Sequence, residues 1–130
     1  MQVLAIQTQH REEFMNITGR VRRAAAAEGI SRGLCHLFVP HTTCALLINE
    51  HADPDVAEDI LAFLGRIVPE TGYRHREGNS PAHIKSSLLN TDLRILIEKG
   101  NLQMGTWQGV FFCEFDGPRT RSLWIDFHSF

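Results

Sequence analysis

The chain has 130 residues, with 13 Lys or Arg against 15 Asp or Glu, so its formal net charge is −2. This length corresponds to one domain, residues 1–130, with a core large enough to fold without a disulfide or a structural metal. The near-neutral charge argues against a nucleic-acid partner, which normally requires a basic excess. The chain contains seven His but only two Lys, so its titratable chemistry near neutral pH is dominated by imidazole.

The cysteines and the N-terminal segment indicate the compartment. The chain has an odd number of cysteines, which are Cys35, Cys44 and Cys113, and each lies in an apolar run. This pattern is typical of buried free thiols in a reducing environment. The N-terminal segment lacks the basic region of a signal peptide. No apolar run approaches the roughly 20 residues that a membrane-spanning helix requires. We therefore expect a cytoplasmic protein without a membrane partner.

In the first half of the chain, apolar spacing and turn residues predict strands and helices in mixed order. Alternation predicts a strand over 3–8, and helical spacing predicts a helix over 18–28 that Gly29 ends. Two apolar runs predict strands over 33–40 and 43–49. Asp53 followed by Pro54 is typical of a helix start, and this helix is predicted to run to about residue 64.

The second half of the chain contains a similar signal for the start of a helix. Ser80 followed by Pro81 predicts a helix with Ser80 as its N-cap that runs to about residue 89. Three further strands are predicted over 94–98, 109–115 and 123–127, with turns at 99–101 and 116–118. About six strands and three helices that do not alternate strictly indicate an α+β fold, with helices packed against antiparallel-rich sheets.

The first polar cluster lies at the end of the predicted strand 33–40. His41, Thr42 and Thr43 follow this strand, and Asn49 and Asp53 follow the next one. An imidazole and two hydroxyls at a strand end suit an anion or a metal ion, but a polar turn between buried strands has the same pattern. The role of Asp53 is open in the same way, because an aspartate before proline can also serve as a helix N-cap.

The second polar cluster contains His75, Asn79 and the start of the predicted helix at Ser80. His83 would lie in the first turn of this helix, where the helix dipole disfavours the protonated ring. A neutral imidazole is the form that binds metals, and the same helix start with Lys85 nearby would attract a phosphate. A solvated loop with surface histidines is the alternative interpretation.

The third polar cluster follows Trp107. Glu114 and Asp116 share one face of a strand because side chains alternate, and two neighbouring carboxylates require a cation, a proton or an arginine between them. Arg119 is one candidate for that arginine. The alternative is a hairpin in which Glu114 pairs with Arg121 across a turn.

Taken in order, three segments of the chain resemble the YjbQ-like family of small proteins, described as secondary thiamine-phosphate synthase enzymes. These segments are HTTCALLINE with ADPDV, then YRHREGNSPAHIKSSLL, then GTWQGVFFCEFDGPRTR. The resemblance implies a compact α+β fold with a β-sandwich-like arrangement of sheets and a homotrimeric assembly. It also implies a candidate active site at the matching positions, which are His41, Thr42, Asn49, Asp53, His75, Asn79, His83, Trp107, Glu114, Asp116 and Arg119.

These residues suggest a mechanism for thiamine-phosphate synthase-like chemistry, in which a pyrimidine pyrophosphate condenses with a thiazole phosphate and pyrophosphate departs. His41, His75 and His83 would hold a divalent metal, zinc or magnesium. The candidate catalytic residues are Glu114, Asp53, Asn49 and Arg119. The candidate substrate- and phosphate-binding residues are Thr42, Thr43, Asn79, Ser80, Lys85 and Trp107.

Two other functions remain open for the same residues. One is a metal-dependent phosphoesterase that acts on a small phosphorylated metabolite. The other is a non-catalytic homo-oligomer that binds a metal or a ligand. All three functions share a phosphate- or metal-binding cluster of histidines, and none involves a nucleic acid.

Overall fold

The computed structural model describes residues 1–130, which form two antiparallel sheets and three helices. The helices are α1 (Thr18–Glu28), α2 (Pro54–Ile67) and α3 (Ser80–Leu88). The strands are β1 (Gln2–Gln7), β2 (Glu13–Asn16), β3 (Gly33–Phe38), β4 (Cys44–Glu50), β5 (Asp92–Glu98), β6 (Asn101–Leu102), β7 (Gln108–Glu114) and β8 (Thr120–Ser129). The larger sheet has the order β1-β8-β3-β5-β6, and the smaller sheet has the order β2-β7-β4.

The smaller sheet lies between the larger sheet and a pair of helices. Leu46 and Phe112 belong to the main core, which also contains inward residues of the larger sheet and of α1. The neighbouring residues Ala45 and Phe111 point the other way, into a second cluster with Leu64 of α2 and residues of α3. Because β4 and β7 are buried on both faces, their sequences are nearly continuous apolar runs rather than alternating ones.

The larger sheet has one face in the core and one face that no helix covers. Its inward residues include Ile6, Leu37, Ile95 and Leu123, all fully or almost fully buried. The outward face carries exposed apolar side chains, which are Val3, Phe38, Leu96 and Trp124. The rings of Phe38 and Trp124 stack with centroids 5.6 Å apart. We call this face the outer face.

The α+β class, with three helices and antiparallel-rich sheets, is confirmed, and the boundary differences have local causes. Helix α1 occupies the predicted residues 18–28, and Gly29 ends it with φ 73° in the left-handed region. Helix α2 continues three residues beyond its predicted end. The strands β2 and β6 were not predicted, because four and two residues are too short to establish a periodic pattern.

One detail of the predictions was wrong: Asn79, not Ser80, is the N-cap of α3, which moves His83 one position farther into the helix. The hairpin given as the alternative interpretation of residues 114–121 does not form, because β7 belongs to the smaller sheet and β8 to the larger one, so the chain crosses between sheets there. Glu114 and Arg121 nevertheless pair, but they do so across the two sheets rather than within one ladder.

Three short connections between the sheets lie at the same end of the molecule, and two of them carry residues of the polar clusters. One of these two crossings, residues 39–43, joins β3 to β4, and the other, residues 115–119, joins β7 to β8. The two crossings are neighbours because Cys44 lies opposite Glu114 in the smaller sheet. The backbone N–H of Phe115 also donates to the Thr43 carbonyl, at 3.2 Å. The first and third polar clusters of the sequence meet here.

None of the three helices has the length and continuous apolar character that crossing a membrane requires.

Candidate functional site

The two crossings and the start of α3 enclose a cleft of about 530 Å³ with almost entirely polar walls. It contains arginines, imidazoles, hydroxyls, an amide and carboxylates, and no large apolar side chain. Its lining residues are Pro40, His41, Thr42, Thr43, His75, Glu77, Asn79, His83, Asp116, Arg119 and Arg121. We call this space the arginine lobe. Such a lining suits a small, charged, hydrated ligand rather than an apolar one.

A buried ion pair between Arg121 and Glu114 forms the floor of the arginine lobe. The Arg121 side chain is 3% exposed and that of Glu114 is fully buried. Arg121 Nε donates to Glu114 Oε1 at 3.0 Å, and Nη2 donates to the Thr43 hydroxyl at 2.8 Å. Arg121 Nη1 forms no hydrogen bond within the chain. A buried guanidinium therefore lines the lobe with one nitrogen still available to a ligand.

Both carboxylate oxygens of Glu114 accept hydrogen bonds from other groups of the chain. Its oxygens also accept hydrogen bonds from the Thr8 hydroxyl at 2.8 Å and from the backbone N–H groups of Phe115 and Asp116. Burial opposes the charge of Arg121, but the hydrogen bond with Glu114 and the nearby negative groups raise the pKa of Arg121 above its ordinary value. Glu114 thus holds the arginine in place and keeps it charged, and it has no free oxygen to act as a base.

His41 is fixed by the backbone of the larger sheet. The Ser122 N–H donates to His41 Nε2 at 2.9 Å, so the imidazole takes the place of a strand carbonyl just beyond the end of β3. An accepting Nε2 requires the neutral ring to carry its proton on Nδ1. Burial, and then the positive charge of Arg121, lower the pKa of His41. His41 is therefore a neutral hydrogen-bond donor through Nδ1 at neutral pH.

His75 and His83 form the opposite wall of the arginine lobe. Their rings pack edge to face with centroids 5.5 Å apart, and His75 Nε2 lies 3.8 Å from Glu77 Oε2. The three histidines predicted as metal ligands thus line one lobe. However, no three His, Cys, Asp or Glu side chains in the chain are grouped closely enough to hold a metal ion. With Nε2 of His41 engaged by Ser122, the three imidazoles do not form a ready metal centre.

Asp116 links the second crossing to the start of α3. Its Oδ2 accepts from Arg119 Nη2 and from Asn79 Nδ2, both at 3.1 Å. Arg119 Nε donates to the Asp116 carbonyl at 2.8 Å, which fixes one edge of this half-exposed guanidinium. The Asn79 Oδ1 atom is buried without a partner in the chain. These contacts fix a second, half-exposed arginine in the lining of the lobe.

A second cavity of about 470 Å³ adjoins the arginine lobe, and the two share His41, Thr42 and His83. Its other lining residues are Cys44, Ser86, Ser87 and Thr91. We call it the hydroxyl lobe. Burial raises the pKa of the Cys44 thiol to about 12, so this group remains protonated and uncharged. The two lobes together form one bipartite cleft on either side of the pair His41 and His83.

Three of the predicted site residues lie at the opposite end of the smaller sheet. Asn49 lies opposite Gly109 near the far end of β4, about 20 Å from the cleft at the usual rise per strand residue. Asp53 is the N-cap of α2, and its carboxylate accepts from the Asp55 N–H at 2.9 Å. Trp107 precedes β7 and is 63% exposed. The structure brings none of the three to the histidines.

Two further predicted phosphate ligands are buried near the cleft but do not line the arginine lobe. The Lys85 side chain is 2% exposed, and its Nζ pairs with Glu12 Oε2 at 2.7 Å. Ser80 is the first residue of α3 and is largely buried. A buried, paired ammonium supports the packing of α3 and is not available to a ligand.

Sequence reasoning did not assign Arg121 to the site. Arg121 shares the inward parity of β8 with Leu123 and Ile125, and a charged residue at a core position is the signal that identifies it. Ser87 and Thr91 had no such signal. They join the cleft only because α3 and β5 follow one another beside the first crossing.

The sequence and the fold match known proteins over nearly their whole length. A family model described as "UPF0047 protein YjbQ-like" matches residues 2–129. The chain is 43% identical to the UPF0047 protein YugU of Bacillus subtilis over 127 residues, which cover 96% of each chain. It is 46% identical to the UPF0047 protein MJ1081 of Methanocaldococcus jannaschii over 121 residues, 92% of this chain and 88% of that one.

Solved structures give the same answer for the fold. A YjbQ/UPF0047 family protein from Clostridium acetobutylicum superposes with a TM-score of 0.95 at 45% identity, covering 98% of this chain and 100% of that one. The protein APE1520 of Aeropyrum pernix has a TM-score of 0.94 at 31% identity, covering 99% and 98% of the two chains. Sequence and structure therefore agree that this chain belongs to the UPF0047 family of YjbQ-like proteins.

Proposed function

We propose that the chain is an enzyme that acts on a small phosphorylated metabolite, whose phosphate or pyrophosphate binds in the arginine lobe. The observation that carries this proposal is the buried guanidinium of Arg121, which is held by Glu114 and Thr43 and keeps Nη1 free. A buried cation with an unused donor is a strong site for an oxyanion, because water competes poorly for it.

Arg121 and two further donors suit an anion that forms during a reaction. Arg119 supplies the unused edge of its guanidinium, and His41 supplies Nδ1–H. Fixed donors of this kind stabilise a departing phosphate or pyrophosphate without reorganising in the transition state. His83, at the junction of the two lobes, is placed to exchange a proton with the rest of the substrate.

The reaction that the family resemblance implies is the formation of thiamine phosphate, in which the pyrimidine loses pyrophosphate and the thiazole nitrogen takes its carbon. The arginine lobe supports the loss of pyrophosphate in such a transfer. Trp107, the residue predicted to stack on the pyrimidine, lies at the other end of the smaller sheet. The lobe therefore supports the anion-releasing half of this reaction, and no aromatic side chain lines the lobe to receive the rings.

The test measures pyrophosphate binding by calorimetry and thiamine phosphate formation from the two precursors. We expect Arg119→Gln to weaken pyrophosphate binding about tenfold, because one charge-assisted contact is lost. His41→Ala and His83→Ala are expected to abolish product formation. Asn49→Ala, exposed at the far end of the sheet, is the control and should match the wild type. Unchanged binding in Arg119→Gln, or unchanged activity in both histidine variants, would reject the proposal.

Hydrolysis of a phosphate ester is a second candidate, favoured by the contact between His75 and Glu77 at the rim of the lobe. A carboxylate beside an imidazole is suited to activate a water molecule. A panel of phosphorylated metabolites scored for released phosphate separates this activity from transfer. Tight phosphate binding without turnover on any substrate would indicate the non-catalytic ligand-binding protein instead.

A divalent metal, zinc or magnesium, remains a separate proposal. Elemental analysis of the wild type and of His83→Ala, each purified with zinc and with magnesium, tests it. Stoichiometric metal in the wild type that is lost in His83→Ala supports a metal role for this imidazole. Absence of metal from both proteins would reject the metal and leave the oxyanion site of Arg121 unaffected.

We also propose that the chain assembles as the homotrimer that the resemblance implies, through the outer face. The stacked pair of Phe38 and Trp124 lies there with Val3 and Leu96, and no element of the chain covers them. Apolar patches of this kind typically mark contacts between protein chains. The outer face adjoins the cleft, since Phe38 lies opposite Asp92, the residue after Thr91 of the hydroxyl lobe.

A further inference from the structure

The hydroxyl lobe has a chemistry of its own that the binding of a phosphate does not explain. The side chains of Thr42 and Thr91 form no hydrogen bond within the chain, so both hydroxyls are free to donate and to accept. Ser87 Oγ donates to the His83 carbonyl at 2.7 Å, which leaves its lone pairs free to accept. Cys44 is the one apolar lining residue.

We propose that the organic part of the substrate is hydroxylated and non-aromatic, as in a sugar phosphate or polyol phosphate, and that it binds in the hydroxyl lobe. This inference rests on the proposed function, because the phosphate must occupy the arginine lobe. The two lobes meet at His41, Thr42 and His83, so a ligand bound in both lies against the two imidazoles. The hydroxyl lobe alone, at about 470 Å³, has ample room for a five-carbon sugar.

Hydrogen-bond complementarity distinguishes such a ligand from an aromatic one. Sugar hydroxyls both donate and accept, so they pair with the donating threonines and with the accepting serine. An aromatic ring would displace water from these hydroxyls without replacing its hydrogen bonds, which lowers affinity. Neither lobe is lined by a Phe, Tyr or Trp on which a ring could stack. The thiamine precursors, both heteroaromatic, are therefore expected to be poorer ligands than a sugar phosphate.

The test compares three probes by calorimetry at a mildly alkaline pH where all are dianions: inorganic phosphate, ribose 5-phosphate and phenyl phosphate. The two esters carry the same charge, so their difference in affinity reports the hydroxyl lobe alone. We expect ribose 5-phosphate to bind about tenfold or more tightly than phenyl phosphate. The double variant Ser87→Ala with Thr91→Val should remove most of this preference while leaving the affinity for inorganic phosphate unchanged. Thr106→Val, an exposed threonine beside Trp107, is the matched control.

The outcomes separate this inference from the proposed function. Phenyl phosphate binding as tightly as ribose 5-phosphate, or a preference that persists in the double variant, would overturn the hydroxylated substrate and leave the phosphate site standing. If none of the three probes binds, or if Arg119→Gln leaves the affinity for inorganic phosphate unchanged, the phosphate site itself fails and this inference falls with it.

Discussion

His41 is held by the larger sheet and also lines the cleft. Its Nε2 accepts the Ser122 N–H, an interaction that a protonated imidazole cannot make. The same geometry presents Nδ1–H as a neutral donor. A residue held by the backbone in this way is positioned before any ligand arrives, which is the condition for effective stabilisation of an anion.

Burial and the charge of Arg121, which lower the pKa of His41, predict a pH dependence of stability. The pKa of His41 is lowered in the folded chain from its ordinary value of 6.5, so just below pH 6.5 the unfolded chain binds more protons than the folded one. The free energy of unfolding is therefore highest above pH 6.5 and falls as the pH drops through this window. Urea denaturation of the wild type and of His41→Gln, compared over the same pH range, should show a difference that shrinks on acidification.

The control for this experiment is His10→Gln, which removes an exposed imidazole. It should follow the wild type at every pH. A constant difference between the wild type and His41→Gln would show that the titration of His41 is not linked to folding.

The ion pair between Glu114 and Arg121 predicts a large effect of removing one partner. Glu114→Gln leaves the buried guanidinium without its counter-charge, and we expect a loss of about 3–5 kcal/mol in the free energy of unfolding. The double variant Glu114→Leu with Arg121→Met should lose much less, because no charge is then stranded in the core. Chemical denaturation measures both. Equal losses in the two proteins would contradict a stranded charge as the cause.

Among the elements, the start of α2 is a sequence signal that a structural contact accounts for. Asp53 caps the helix through the Asp55 N–H, and Pro54 follows at the first helical position. The cap lies at the opposite end of β4 from the cleft. The family pattern includes Asp53, but its contacts explain the residue without a catalytic role.

The cap gives a prediction with a matched control. Asp53→Ala should cost about 1 kcal/mol in the free energy of unfolding, the usual value of an N-cap, while Asp53→Asn should retain most of it. Both variants should bind pyrophosphate as tightly as the wild type, because the cleft is not touched. Weakened pyrophosphate binding in either variant would return Asp53 to the functional site.

For the whole molecule, the proposed trimer through the outer face can be tested with a single substitution. Trp124→Arg places a charge in the centre of this apolar face, where burial against a second copy would be costly. We expect light scattering to give a trimeric mass for the wild type and a monomeric mass for this variant. Trp107→Arg changes an exposed tryptophan at the far end of the smaller sheet and should remain trimeric. A monomeric wild type would reject the assembly.

Much of the fold was predictable because its signals are local. Gly29 marks the end of the helix over residues 18–28, and Pro54 after a capping aspartate marks the start of the next helix. Single residues therefore indicate where these helices begin and end. Strands β4 and β7 are predicted from apolar runs that reflect burial on both faces. The sheet to which each strand belongs was not predictable, because pairing depends on residues far apart in the chain.

The amino-acid sequence is enough to identify the family, the class of the fold and a set of polar residues in three segments. Which of these residues meet depends on how the strands are arranged in the folded chain. Two sheet crossings at one end bring His41 and Arg119 together with Asn79. Asn49 and Asp53 lie far from them because they are at the opposite end of β4. Arg121 lies in the cleft because the chain passes from the smaller sheet to the larger one at residues 115–119. Local periodicity specifies strands and helices, but the contacts of a site depend on which strands become neighbours, and that is a property of the whole fold.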